Sequence, residues 1–263
     1  INKCAANAAR IARLSANNPI SFWVSSMMAG AYVGLGIILI FTLGNLLDPA
    51  VRPLVMGATF GIALTLVIIA GSELFTGNTM FLTLGVKAGT ISQSQMWAIL
   101  PQTWMGNLLG SVFVALLYCW GSGSLLPVDS SLVHTVALAK TSQSAMALFF
   151  KGALCNWLVC LAIWMAIRTE GAAKFIAIWW CLLAFIASGY EHSVANMTLF
   201  ALSWFGHHSD AYTLAGIGHN LLWVTLGNTL SGVVFMGLGY WYATPKSERP
   251  APEKTNETES LAQ

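Results

Sequence analysis

The chain has 263 residues, 56% of them hydrophobic and only 8% charged, with a net charge of +2. A soluble domain carries roughly 25% charged residues, so composition excludes an ordinary soluble protein, and the mean hydropathy of +0.68 agrees. Basic residues form no patch suited to nucleic acid, and the cysteines show no CxxC pair and sit mostly in apolar runs, as small buried hydrophobes do.

Residues 1–18 place Lys3, Arg10 and Arg13 on an Ala/Ile/Leu background at helical spacing. This predicts a short amphipathic helix at a membrane surface rather than a cleavable leader. A bilayer span needs about 20 apolar residues, and residues 19–243 supply six such stretches. Ser21 to Leu47 is the first, and a turn follows at Asp48-Pro49 and Arg52-Pro53. Leu54 to Ser72 opens the second, which is interrupted by Gly71 to Met80 (GSELFTGNTM) and resumes at Phe81. Trp97 to Trp120 is the third. A loop is expected over Gly121 to Gln143, with Pro127, Asp129, His134 and Lys140. Met146 to Ile167 is the fourth span, Phe175 to Phe205 the fifth, and Leu214 to Trp241 the sixth. The fifth is interrupted by Ser188 to Met197 (SGYEHSVANM). Residues 244–263 are polar and expected to be a disordered tail.

An even number of spans puts both termini on one side. That side then holds Lys3, Arg10, Arg13, Lys87, Arg168, Lys174, Lys246, Arg249 and Lys254, against Arg52, Lys140 and Lys151. By the positive-inside rule the termini are cytoplasmic. The third and sixth spans echo each other, with Trp104 to Gly110 (WMGNLLG) against Leu226 to Gly232 (LGNTLSG). The interrupted spans two and five correspond as well. The expected fold is therefore an all-α membrane protein of six transmembrane helices in two inverted three-helix repeats, with helices two and five broken.

Ionisable residues at membrane depth are costly and mark functional paths, and broken backbone there must be packed in protein or line a cavity. Of the ten carboxylates, Glu73 and Glu191 lie in the two breaks, and His192 adds a titratable imidazole. Half-helix N-termini are expected near Asn78-Thr79 and Ser193-Val194, with Asn78 and Ser193 as caps. Their free N–H groups favour a small anion, or the weak acid it forms on protonation. Glu73 is expected to hold the loose backbone of its own loop, and Glu191 to orient His192 as well. Lys151 reads as a snorkelling anchor, and His207-His208 as a solvated loop rather than a metal site. No cofactor is implied. A hydrolytic enzyme would need a nucleophile, base and metal set such as HExxH, and none is present.

The stretches GSELFTGNTM, SGYEHSVANM and KGALCNWLVCLAIW (Lys151 to Trp164) resemble the signature motifs of the formate/nitrite transporter family. Gly77-Asn78-Thr79 is most similar to its bacterial nitrite channels. The resemblance implies an aquaporin-like fold, a homopentamer in the inner membrane with one pore per protomer, and His192 at the pore centre. It implies that Leu74, Phe75 and Thr76 form a constriction and mobile loop. Glu191, His192 and Asn196 would make up the central-histidine motif, with Asn156 near it. Lys140 would draw anions into the outer vestibule. The implied activity is passive or proton-linked passage of nitrite, or of formate, hydrosulfide or another small monoanion. A monoanion in a dry constriction faces an idealised cost on the order of 20 kcal/mol, so anion passage beside a charged His192 competes with protonation followed by passage of the neutral acid.

Overall fold

A computed structural model describes residues 1–121, 131–206 and 208–250, and all regular structure among them is helical. Helix α1 spans Asn2–Asn17 and α2 Pro19–Leu46, where Pro19 opens the helix at a position that needs no N–H. The apolar side of α1, with Cys4, Ala8 and Ile11 fully buried, rests on protein. Thr90 Oγ1 donates to the Ala5 carbonyl at 3.2 Å. What reads in sequence as a membrane-facing surface is thus the docking face of α1 at the end of α5.

Helices α3 (Arg52–Thr59) and α4 (Gly61–Ala70) run on as one apolar span, and α5 (Phe75–Ala88) follows after a break. Then come α6 (Gln93–Gly121), α7 (Leu132–Thr141), α8 (Ala145–Ala166), α9 (Ala172–Ala187) and α10 (Ser193–Phe205). Helix α11 (Leu214–Leu230) continues through a π-helical stretch, Ser231–Leu238, into α12 (Gly239–Ala243). The helices long and apolar enough to cross a membrane are Pro19–Leu46, Arg52–Ala70, Gln93–Gly121, Ala145–Ala166 and Leu214–Ala243.

Helix α7 lies where a loop was expected. Ser131 starts it by accepting from the His134 N–H, and its buried Val133, His134 and Ala137 face the bundle. Ten residues carry too few apolar positions to register as a span, so the sequence alone reads them as a connection. Pro127, Asp129 and His207 fall outside the described residues, as do residues 251–263 of the tail. Within the described part of the tail, Lys246–Glu248 form a 3₁₀ turn.

Close approach of helices organises the bundle. A Cβ at Gly110 would run into the Met27 carbonyl of α2, and one at Gly227 into the Phe149 carbonyl of α8. Small residues in these places let α6 lie against α2 and α11 against α8 at backbone distance, the usual basis of helix association in lipid. These two tight pairs bring Asn107 and Asn228 to the breaks.

Candidate functional site

The two breaks are built alike. Each begins at a glycine in the left-handed region, Gly71 at φ 78° and Gly189 at φ 68°, a conformation that a side chain would strain. Each reaches its new helix through a Glu-X-X triplet, Glu73-Leu74-Phe75 and Glu191-His192-Ser193. An asparagine from a distant helix then closes each helix start. Asn107 Oδ1 accepts from the Phe75 N–H at 2.9 Å, while its Nδ2 donates to the carbonyls of Ser26 (2.7 Å) and Glu73 (2.9 Å). Asn228 Oδ1 accepts from the Ser193 N–H at 3.0 Å, and its Nδ2 donates to Gly152 (2.8 Å) and Glu191 (3.1 Å). Both asparagines are fully buried. Each asparagine therefore satisfies three backbone groups at its break from within the protein.

This arrangement corrects the expected caps. Helix α5 starts at Phe75 and α10 at Ser193, so the cap positions are Leu74 and His192, not Asn78 and Ser193. Of the leading N–H groups, those of Phe75 and Ser193 are taken by the asparagine oxygens and that of Ala195 by the His192 ring.

The carboxylates serve the same symmetry. Glu73 meets Arg10 of α1 at 2.6 Å and accepts from Asn78 Nδ2 at 3.2 Å. Glu191 meets Lys140 of α7 at 2.8 Å and accepts from Asn196 Nδ2 at 2.6 Å. Gln143 Nε2 adds a third contact to Glu191 at 3.3 Å, and Lys151 Nζ donates to Gln143 Oε1 at 2.7 Å. A carboxylate as buried as Glu191 costs several kcal/mol unless it is paired and hydrogen-bonded, and this set supplies both. Glu73 holds side chains rather than the backbone of its loop. Glu191 makes no hydrogen bond to His192 among the described residues, and Lys151 is tied into the Glu191 cluster instead of standing as a lone anchor.

His192 is oriented from two sides. Its Nδ1 accepts from the Ala195 N–H at 3.1 Å. A backbone N–H can only donate, so Nδ1 carries no proton and the ring's hydrogen sits on Nε2, a tautomer assigned from the bonding pattern. Nε2 then donates to Thr76 Oγ1 at 3.1 Å. Asn156 steadies the first turn of α5 from behind, donating to the Thr76 carbonyl (3.3 Å), Thr79 Oγ1 (3.2 Å) and the Asn228 carbonyl (2.6 Å).

Two cavities approach this pair from opposite sides. One, of about 460 Å³, is lined by Lys3, Arg10, Glu73, Leu74 and Asn78. The other, of about 210 Å³, is lined by Lys140, His192, Asn196 and Arg52. Between them lies a gap of about 10 Å³ walled by Leu74, His192, Phe60, Leu64 and Phe185. That volume holds about one water molecule at most, and its other walls offer no polar partner. Phe185 stacks on the His192 ring at 6.0 Å and meets Phe60 edge-on at 5.6 Å.

Of the residues singled out from sequence, Leu74, His192, Lys140 and Asn196 line the cavities, and Thr76 and Glu191 touch these directly. Asn156 supports Thr76 without a hydrogen bond to His192. Phe75 is buried and does not line these cavities; its N–H anchors the break. Sequence reasoning missed Phe60, Phe185, Arg10 and the capping roles of Asn107 and Asn228. The shared spacing of Gly71, Glu73 and Asn78 with Gly189, Glu191 and Asn196 was a signal that could have paired them.

The sequence profile of the formate/nitrite transporter family matches residues 1–242. The Salmonella typhimurium protein named nitrite transporter NirC is 90% identical over 262 residues, covering 100% of this chain and 97% of that one. Among solved structures, one described as an FNT family ion channel superposes with a TM-score of 0.92 at 91% identity, over 93% of this chain and 98% of the other. A pentameric formate channel with formate bound gives a TM-score of 0.73 at 26% identity, over 85% and 96%. The chain belongs to the formate/nitrite transporter family.

Proposed function

We propose that this chain forms a pathway for nitrite across the bacterial inner membrane, with both termini cytoplasmic and five copies assembled so that each protomer carries its own pore. The observation that carries this reading is the position of His192, which walls both the dry gap and the cavity on the Lys140 side. The similarity to a protein named as a nitrite transporter supports the substrate, and the pentameric formate channel supports the assembly. The matching breaks and their asparagine caps support two inverted three-helix repeats with interrupted second and fifth helices, aquaporin-like in plan.

The neutral imidazole, its Nε2–H held by Thr76 Oγ1, is the polar group in the wall of the gap. The gap beyond cannot solvate a bare monoanion, whose idealised transfer cost is on the order of 20 kcal/mol. We infer that one proton crosses with each nitrite, so the species in the gap is the neutral acid. Uptake of nitrite, formate and hydrosulfide into liposomes containing a trapped pH indicator tests both points. Nitrite uptake with one proton gained per anion is expected. Nitrite uptake without lumenal acidification contradicts the proton linkage, and failure to carry nitrite contradicts the substrate.

A further inference from the structure

Lys140 cannot serve as a free positive charge in its cavity, because Glu191 neutralises it at 2.8 Å. The same cavity contains another cation. Arg52, at the first turn of α3, lines it together with Lys140, His192 and Asn196. Among the described residues Arg52 has no carboxylate partner. One Nη donates to the Leu47 carbonyl at 3.0 Å. Its Nε is buried without a hydrogen-bond partner, a state that costs about 1–3 kcal/mol unless something else accepts from it. Much of the remaining wall is apolar (Ile37, Ile40, Phe41, Met56), which strengthens an unscreened charge. The start of α3 adds the positive end of a helix dipole.

We propose that Arg52 is the docking residue for the anion in the cavity on the Lys140 side, with its Nε and a neighbouring Nη–H meeting the two oxygens of a small bent oxyanion. A planar guanidinium suits such an acceptor in a way a point charge does not. Lys140 and Glu191 then act as a neutral pair beside it. The inference rests on nitrite passage as proposed above.

The test is initial nitrite influx into proteoliposomes, varied in nitrite and in ionic strength, for wild type, Arg52→Gln and Arg52→Lys, each checked for assembly by size-exclusion chromatography. Arg52→Gln is expected to raise KM five- to tenfold with maximal flux within twofold of wild type, and to flatten the rise of KM with salt. Arg52→Lys keeps the charge and loses the fork, and is expected to raise KM at least threefold. Either variant with wild-type KM overturns the proposal. If Arg52→Gln fails to assemble, Arg52→Lys alone decides it. A wild type that carries no nitrite counts against the substrate reading instead, and KM for whichever anion in the formate and hydrosulfide panel it does carry then decides the role of Arg52 by the same comparison.

Discussion

Leu74 and His192 hold equivalent positions at the two breaks, each the last residue before a new helix, and together they bound the gap between the two cavities. One half of the molecule thus presents an apolar side chain to the narrow point and the other half an imidazole. The backbone around them is nearly the same. Several side chains differ between the two stretches, and at this position the difference makes His192 the polar group in the wall of the gap.

Asn228 is expected to be among the most sensitive residues for stability. Asn228→Ala leaves the Ser193 N–H and the carbonyls of Gly152 and Glu191 without their partner, at about 1–3 kcal/mol for each buried group left unpaired. A clear fall in the detergent melting temperature is expected, with loss of nitrite flux because His192 adjoins the freed turn. Asn107→Ala should behave likewise at the other break. An unchanged melting temperature for both variants contradicts the capping role.

Lys140→Ala removes the partner of a carboxylate that is 1% exposed. A buried charge left unpaired costs about 3–5 kcal/mol, and an unneutralised Glu191 repels an anion. Maximal flux is therefore expected to fall at least tenfold, with weak dependence on nitrite concentration. The Lys140→Ala/Glu191→Gln double variant, which restores neutrality, should recover part of it. If Lys140→Ala instead changes only the flux at low nitrite and low salt, the residue acts as the steering charge that the family resemblance implies, and the ion pair is incidental.

The long apolar helices were legible because their signal is local, while α7 was not; a glycine and a carboxylate at matching spacing precede the starts of α5 and α10. His192 and Leu74, each named by a motif, both line the gap between the two cavities. The partners were not legible, because they come from far along the chain. Arg10 reaches Glu73 across 63 positions and Lys140 reaches Glu191 from a short helix too small to show periodicity. The asparagine echo of Asn107 and Asn228 was visible as a repeat, but its meaning needed the break 32 or 35 positions away. Phe60 and Phe185 lie in uniformly apolar runs, where nothing in composition separates a residue lining the gap from one packed elsewhere.

Both termini are expected on the cytoplasmic side, where Lys and Arg are concentrated. Fusion of paired reporters after Gln263 checks this. A signal from the cytoplasm-dependent reporter is expected, and activity of the periplasm-dependent one contradicts the orientation.

The central claim is that flux passes His192, and nitrite influx through a His192→Phe variant in liposomes tests it most directly. Phenylalanine fills a similar volume beside Phe185 but cannot donate from Nε2 to Thr76 or accept from Ala195. The account predicts a variant that still assembles, as judged by size-exclusion chromatography, with nitrite influx abolished or reduced at least a hundredfold. Wild-type influx through the assembled variant contradicts it.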